Sequence, residues 1–388
     1  MSKDRVVISP KGVDRLRAGH LWIYRSDVVD SKASAGAIVT VSDKKGHFQG
    51  RAFFSDRSQI TLRFLSREDV PINQGFFEKR VLQAFELRQR VVKNSQVYRL
   101  VNAEADGLPS IIVDQYGDYL SIQTQTQGSE TIKSTIAELL VNLFHPKGII
   151  ERNDSKVREL EGLEKTNSVL YGEVPTEILA NENGLSFLYQ LTGGQKTGAF
   201  LDQRENRARA KELAFGRALD CFCYEGGFAI HIAGSCEEVE ALDISENAIR
   251  KARANAELNK VTNLRFEAEN VFDRLRLLDN LKVRYDTIIL DPPAFAKNRS
   301  HLEAAIRGYK EINLRSLRLL NPSGILITST CSQIINENLF LNLLTEAATD
   351  AKKTVQIIEK RTQAQDHPIL LTMPETYYLK CIVARVIS

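Results

Sequence analysis

The sequence predicts an α/β protein. Its last domain reads as a doubly wound, mostly parallel sheet, preceded by a small N-terminal β-barrel and a central α+β domain. Three observations predict this. From about residue 213 onward, short apolar runs alternate with helical stretches, the βαβ rhythm of a parallel sheet covered on both faces. The first ~70 residues carry short apolar segments at close spacing with turns between them, as small barrels do. Between these regions strands and helices are mixed without either rhythm.

The elements follow in order. KGVDRLRAGHLWIY opens with a helical turn and a buried-looking Trp22, and AIVTVSD, KKGHFQG and RAFFSDRSQITLRFL supply short strands. After Pro71, GFFEKRVLQAFELRQRVV has helical spacing of its apolar residues and reads as one amphipathic helix. YRLVNAEADGLPSIIVDQYGDYLSIQTQ reads as three strands joined by Gly-Leu-Pro and Tyr-Gly-Asp turns. ETIKSTIAELLVNLF is a helix and GIIERN a short buried strand. Asn183-Gly184 between apolar runs signals a hairpin with a type I′ turn. ALDCF, EVEALDI, LRFEAE, YDTIILD, GILITST and VQIIEK are the strands of the last domain, and TYYLKCIVARVI supplies its closing strands. The domain boundaries so predicted are 1–72, 73–190 and 191–388.

Composition narrows the class. With 388 residues, 43% hydrophobic and 26% charged, the chain has enough material for two or three cored domains. No run approaches the ~20 apolar residues of a membrane helix, and MSKDRVVISPKG lacks a signal peptide's apolar stretch, so a cytoplasmic protein without membrane association is expected. The net charge of +3 is no nucleic-acid signature in itself. Residues 1–70, however, hold 13 Lys+Arg against 8 Asp+Glu, an excess compatible with phosphate contacts or with a plain solvated surface. Five cysteines without framework spacing, and histidines that never pair as H-x-x-x-H, predict reduced thiols and no metal site.

Two loops carry the chemistry. The strand ending in Asp220 runs into CFCYEGGF, where Gly226 and Gly227 let a ligand approach the backbone at a strand-to-helix turn. The next strand ends in Asp243, placed as the acid that accepts hydrogen bonds from ribose hydroxyls. A dinucleotide would require G-x-G-x-x-G to seat its pyrophosphate, and the adjacent glycines do not fit it. A ligand with a ribose and no phosphate fits better, S-adenosylmethionine being the common one; a glycine turn used only for packing is the alternative. Further on, YDTIIL leads into Asp291-Pro292-Pro293-Ala294-Phe295, a rigid extended loop at the sheet's ligand-binding edge. An acid there can meet a base's exocyclic amine or ring nitrogen, and Phe295 can stack on the base. GILITST ends at Cys331, whose position beside this loop marks it as a candidate nucleophile, against the general tendency of a free cysteine to be a small buried hydrophobe. Cys221, Cys223, Cys236 and Cys381 read as packing.

DCFCYEGGF, ALDIS, DPPAFAKN, RGYKEIN and STCS, in this order, resemble the bacterial 23S rRNA (cytosine-5)-methyltransferase family, of the large-subunit methyltransferase I-like kind. The resemblance covers nearly the whole chain. GHLWIY and the small strands after it resemble a PUA domain, an RNA-binding barrel, and RLVNAEADGLPSIIVDQY resembles the family's central domain. GGQKTGAFLDQRENR resembles the segment that helps enclose S-adenosylmethionine. The resemblance implies a Rossmann-like class I methyltransferase domain. It also implies cofactor contacts at Asp220, Phe222, Tyr224, Gly226, Gly227, Asp243, Ile244 and Asp291, with Gln203 and Arg204 near the same pocket. Asn270 stands where an acidic residue is commoner and would contact the adenine. Pro292, Pro293 and Phe295 would meet the substrate base. Cys331 is implied as nucleophile with Asp291 as its catalytic partner, on RNA of the large ribosomal subunit or its precursor. Edge strands and the resemblance also allow a homodimer. The chain departs from a broader group of RNA cytosine-5 enzymes at Ala294, where those carry a second cysteine. Two other readings stay open: an amino-directed methyltransferase acting on guanine or adenine, and a non-catalytic RNA-binding assembly factor.

Overall fold

A computed structural model describes residues 4–192, 199–295 and 299–387. Its contacts divide the chain into two compact units. One comprises 1–182, 189–201 and 365–376; the other comprises 183–188, 202–364 and 377–388.

The first unit holds both N-terminal regions. Strands β1 (Arg5–Ile8), β2 (Trp22–Tyr24), β3 (Val28–Lys32), β4 (Ile38–Asp43), β5 (Phe48–Phe54) and β6 (Ile60–Ser66), with helix α1 (Pro10–Arg17), form a six-stranded sheet in the order β2-β6-β5-β4-β1-β3. Ser9 caps α1 by accepting from the Gly12 N–H, and Pro10 occupies the first helical turn, where no donor is lost. The sheet closes on Val6, Ile8, Leu16, Ile23, Val39, Val41, Leu62 and Phe64. Trp22 is only half-buried, contrary to the expectation: its indole Nε1 donates to Glu104 Oε1 at 3.0 Å, and Ile23 is the residue sealed in the core. An indole needs an acceptor when buried, so it lies where one side reaches a carboxylate.

Helix α2 (Gln74–Val91) spans the predicted amphipathic run and is followed by β7 (Val97–Asn102), β8 (Ile111–Tyr116) and β9 (Tyr119–Thr124), the three predicted strands. Helices α3 (Gln127–Thr131) and α4 (Lys133–Phe144) replace the single predicted helix, broken at Ile132. Strands β10 (Gly148–Asn153) and β11 (Thr166–Gly172), with the short α5 (Lys156–Leu160) between them, complete a five-stranded sheet in the order β11-β10-β9-β8-β7.

The sequence separates 1–72 from 73–190, but the two share packing. Phe53 and Leu65 point out of the first sheet into the core formed by Phe77, Val81, Ile111, Val113, Ile136 and Leu140, while their neighbours Ala52, Phe54 and Phe64 point into the barrel core. The period-2 alternation of a strand makes this two-sided use possible. Gly128 lies against Phe53 so closely that a Cβ would come within 2.3 Å of the ring.

A second difference concerns residues 365–376, which the sequence assigns to the last domain and the structure packs with the first unit. The anchor is Arg88, 1% exposed. All five of its N–H groups are used: two on Asp106 at 2.7 Å each, the others on the carbonyls of Ala84, Arg99 and Asp366. Asp366 Oδ2 in turn accepts from the Arg99 N–H at 2.9 Å. Such long-range polar pairing leaves no trace in local periodicity.

Strands β12 (Ile178–Glu182) and β13 (Leu185–Tyr189) make a two-stranded sheet around Asn183 (φ 53°) and Gly184 (φ 85°), the left-handed pair a type I′ turn demands. Helix α6 (Arg204–Leu213) then leads into the second unit's sheet. It contains β14 (Arg217–Cys221), β15 (Glu238–Asp243), β16 (Leu264–Ala268), β17 (Tyr285–Leu290), β18 (Leu320–Thr330), β19 (Val355–Arg361) and β20 (Lys380–Val386), in the order β16-β15-β14-β17-β18-β20-β19. All neighbours are parallel except β20, which is antiparallel to both β18 and β19. The last segment is therefore one strand where strands were expected.

Helix α7 (Gly227–Ala233) packs against α6 and α8 (Glu246–Leu258), and α10 (Leu302–Leu319) packs against α9 (Val271–Asn280) and α11 (Glu337–Ala351) as a second helix group. Leu219, Cys221, Leu242, Ile288, Leu290, Leu326, Ile382 and Ala384 share one core cluster with this second helix group, the apolar face the central strands bury on that side. The order reverses at β14, and the carboxyl ends of β14, β15, β17 and β18 converge beside that reversal, where doubly wound sheets bind ligands. No described helix is long and apolar enough to cross a membrane.

Replacing Arg88 with Met keeps the apolar stem but leaves the Asp106 carboxylate buried without its cation. Breaking such a pair costs about 3–5 kcal/mol. Denaturant unfolding should show a loss of that size for Arg88→Met, and adding Asp106→Leu should recover much of it. Equal midpoints for wild type and Arg88→Met would show that the fork does not anchor this unit.

Candidate active site

Asp220 is the next-to-last residue of β14 and has no exposed surface. Its Oδ2 accepts from the Ala229 N–H at 2.9 Å, tying the strand to the first turn of α7. Its Oδ1 is buried with no hydrogen-bond partner among the described residues. Burial holds this carboxyl well above the usual carboxylate range, and the neighbouring charges of Asp291 and Asp243 push it the same way.

The turn after β14 is held in an uncommon shape. Phe222 (φ 65°), Tyr224 (φ 50°) and Gly226 (φ 85°) are all left-handed, which for bulky aromatic residues is strained. Three bonds over-determine it: Cys223 N–H to the Leu242 carbonyl, Tyr224 N–H to Asp243 Oδ2 at 3.0 Å, and Gly226 N–H to the Cys223 carbonyl. Glycine is needed at 226, because a Cβ would also meet Ile230, Ala252 and Phe266 at 3.1–3.2 Å. Asp243 thus has a structural duty as well as a ligand-facing position. Its Oδ1 accepts from the Ser245 N–H at 2.9 Å, and beside it Ile244 is 73% exposed, an apolar side chain at a strand end in the ligand-binding edge.

Gln203, 2% exposed, donates from Nε2 to Asp291 Oδ1 at 2.8 Å and accepts at Oε1 from Asn206 Nδ2 at 2.7 Å. It fixes the rotamer of Asp291, whose own N–H bonds the Cys221 carbonyl at 3.4 Å. Arg204 is buried next to it, its carbonyl accepting from Asn183 Nδ2 and its guanidinium pairing with Glu205. Asn270 is exposed and its Oδ1 caps α9, accepting from the Phe272 and Asp273 N–H groups, so a helix cap accounts for this residue type.

Within the Asp-Pro-Pro loop Pro292 is buried and Pro293 exposed. Phe295 is half-buried in an aromatic cluster, its ring centroid 4.7 Å from that of Tyr309, 5.8 Å from Phe272 and 6.2 Å from Phe222. These rings hold Phe295 from one side at the sheet's ligand-binding edge.

Cys331 is partly exposed just past β18. The other cysteines differ. Burial pushes the thiols of Cys221 and Cys223 well above the ordinary range, that of Cys381 to about 12 and that of Cys236 to about 11. Two residues beside Cys331 escaped sequence reasoning. Tyr309 is fully buried, its hydroxyl 2.8 Å from Thr330 Oγ1, and burial raises it to about 12, with Cys331 and Asp291 adding to the rise. Lys380, on β20, is 3% exposed. A lysine inside TYYLKCIVARVI was the available signal.

Residues 164–373 match the S-adenosylmethionine-dependent methyltransferase family, and residues 6–67 match the PUA-like domain family. A ribosomal RNA large subunit methyltransferase I from Tolumonas auensis is 42% identical, covering 95% of this chain and 96% of the relative. The chain belongs to the ribosomal RNA large subunit methyltransferase I family. A second member, from Klebsiella pneumoniae, is 37% identical over 98% of both chains. Among solved structures, a candidate S-adenosylmethionine-dependent methyltransferase from Streptococcus mutans shares the fold, with TM-score 0.84 at 22% identity over 98% of this chain and all of that one. A candidate methyltransferase complexed with SAH gives the same values.

S-adenosylmethionine is thus this family's cofactor, and the residues fit it. Asp243 and Asp291 bring acidic groups suited to a cationic sulfonium and ammonium, a bound cation would favour ionisation of Asp220 beside them, and Asp220 Oδ1 is a buried oxygen without a partner among the described residues. Asp243 can hold a ribose, and Ile244 offers an apolar contact for a purine. A segment expected to enclose the cofactor, GGQKTG, lies outside the described residues.

Two outcomes follow. Asp243→Ala should weaken S-adenosylmethionine binding by about 1.5–3 kcal/mol in calorimetry, and an unchanged affinity in the folded variant would remove Asp243 from the site. Asp220 has a folded-state pKa above its unfolded value of ~3.9, so its contribution is complete below that value and lost as pH rises through the folded pKa. Asp220→Asn, which still accepts from Ala229, should therefore gain thermal stability over the ligand-free wild type as pH rises from 4. Parallel melting-temperature curves against pH would show Asp220 to be ionised in the fold.

Proposed function

We propose that this chain methylates carbon 5 of a cytosine in 23S rRNA through a covalent adduct with Cys331. The observation that carries the proposal is the placement of Cys331: partly exposed, at the same sheet edge as Asp291 and the cofactor residues, while the other cysteines are held as thiols by burial. The names of the large-subunit relatives support the RNA class, as does the PUA-like match at residues 6–67.

S-adenosylmethionine supplies an electrophilic methyl group. Carbon 5 of cytosine is too weak a nucleophile to take it unaided. Cys331 thiolate adds to carbon 6, the new S–C bond pushing electron density onto carbon 5 as an enamine, which takes the methyl group as its bond to the sulfonium sulfur breaks and the neutral thioether leaves. Asp291, with its rotamer fixed by Gln203, faces the ring nitrogen and stabilises the charge that develops there. Loss of the carbon 5 proton and expulsion of Cys331 release the product.

Four arginines of the barrel are engaged within the protein. Arg15 pairs with Asp27, Arg51 with Asp69 and Arg63 with Glu161, and Arg67 donates to the Leu16 carbonyl. Phosphate contacts therefore fall to the remaining lysines and arginines of this sheet.

Cys331→Ala should abolish methyl transfer while cofactor and RNA affinities stay near wild type, because the thiolate acts in the covalent step. RNA carrying 5-fluorocytosine at the target should trap an adduct with the wild type and not with the variant, since fluorine cannot leave as a proton does. Methylation by Cys331→Ala at a comparable rate would contradict the covalent mechanism and favour transfer to an exocyclic amine held by Asp291.

A further inference from the structure

We propose that Lys380 is a positioning residue that keeps Cys331 in its thiolate form, an inference that rests on reading Cys331 as the nucleophile. The two strands place them together. Antiparallel pairing sets Thr330, the last residue of β18, opposite Lys380, the first of β20. Lys380 Nζ donates to the carbonyl of Ser332 at 3.0 Å and to that of Tyr378 at 3.2 Å, and lies 5.3 Å from the centroid of the Tyr377 ring. Its backbone partner precedes Cys331 and its side-chain acceptor follows it.

An ammonium has three N–H groups, and here two go to carbonyls and none to a carboxylate among the described residues. A buried cation is costly without an anion nearby. The acid that acts on it is already engaged: Glu337 of α11 accepts from Lys360 Nζ and from the Tyr377 hydroxyl, each at 2.9 Å. Burial lowers the Lys380 pKa, while Cys331 and Glu337 act in the opposite direction.

The other groups facing this corner work against a thiolate. Asp291, after β17, is an acid. Tyr309 of α10 is a buried phenol bonded to Thr330 and raised by both Cys331 and Asp291. Lys380 is the cation that offsets them. The Cys331 proton leaves to solvent, and the thiolate left behind pairs with the ammonium. A reactive cysteine needs a partly exposed and electropositive setting of this kind.

The test is the pH dependence of iodoacetamide alkylation at Cys331 in the full-length protein, followed on the Cys331 peptide by mass spectrometry. Wild type should show a midpoint below the ~8.5 of a free thiol. Lys380→Met should move it up by about one unit, a ~10-fold slower alkylation at pH 7, and Lys380→Arg should restore it. Calorimetry with S-adenosylmethionine reports whether each variant is folded. If Lys380→Met does not fold, Lys380→Gln, a neutral donor to the same carbonyls, makes the comparison. Superimposable profiles for wild type and the neutral variant would overturn the proposal. The 5-fluorocytosine adduct reports separately on Cys331: its absence with a shifted profile would remove the nucleophile reading and keep the ion pair.

Discussion

The site depends on one buried carboxyl group. Asp220 has no exposed surface, one bond to the Ala229 N–H and two acidic neighbours, Asp291 and Asp243. That bond fixes where α7 begins, and with it the left-handed turn through Phe222, Tyr224 and Gly226. Asp243 closes the same turn from the next strand, so the acid proposed for the ribose also holds the loop. Concentrating like charge in a buried corner is unfavourable for the empty fold. It suits a ligand that arrives with a sulfonium and an ammonium.

The parallel sheet converts this local arrangement into a reaction centre. Strands β14, β15, β17 and β18 run in one direction, so their carboxyl ends, and the loops bearing Asp220, Asp243, Asp291 and Cys331, lie along one edge. Antiparallel β20 breaks that rule and brings the start of a strand to the same edge, which is how Lys380 comes to lie beside Cys331. Gln203 contributes from before α6 by locking Asp291. The residues proposed for chemistry, cofactor retention and nucleophile activation thus come from strands far apart in sequence that belong to one sheet.

What the sequence made legible was local. Alternation of period 2 and 3.6 located β7 to β10, α2 and the last domain's strands, because a strand or helix buried on a face must repeat its apolar residues at that period. Asn183-Gly184 and Gly226 were readable because left-handed backbone restricts residue choice. The acids at strand ends were readable because the fold puts ligands there. Contacts set by long-range pairing were not. Nothing near Asp366 signals that its carbonyl meets Arg88, and nothing near Lys380 signals that its ammonium reaches the Ser332 carbonyl. The packing of Phe295 on Tyr309, Phe272 and Phe222, which come from three other segments, and the capping bond of Asn270 were likewise not legible.

The central claim is that this site transfers a methyl group to carbon 5 of a cytosine in 23S rRNA. The most direct measurement incubates the purified protein with labelled S-adenosylmethionine and 23S rRNA from a strain lacking it, then digests the RNA to nucleosides for mass spectrometry. The account predicts label in 5-methylcytidine and in no other nucleoside. Label in an N-methylated guanosine or adenosine would contradict it.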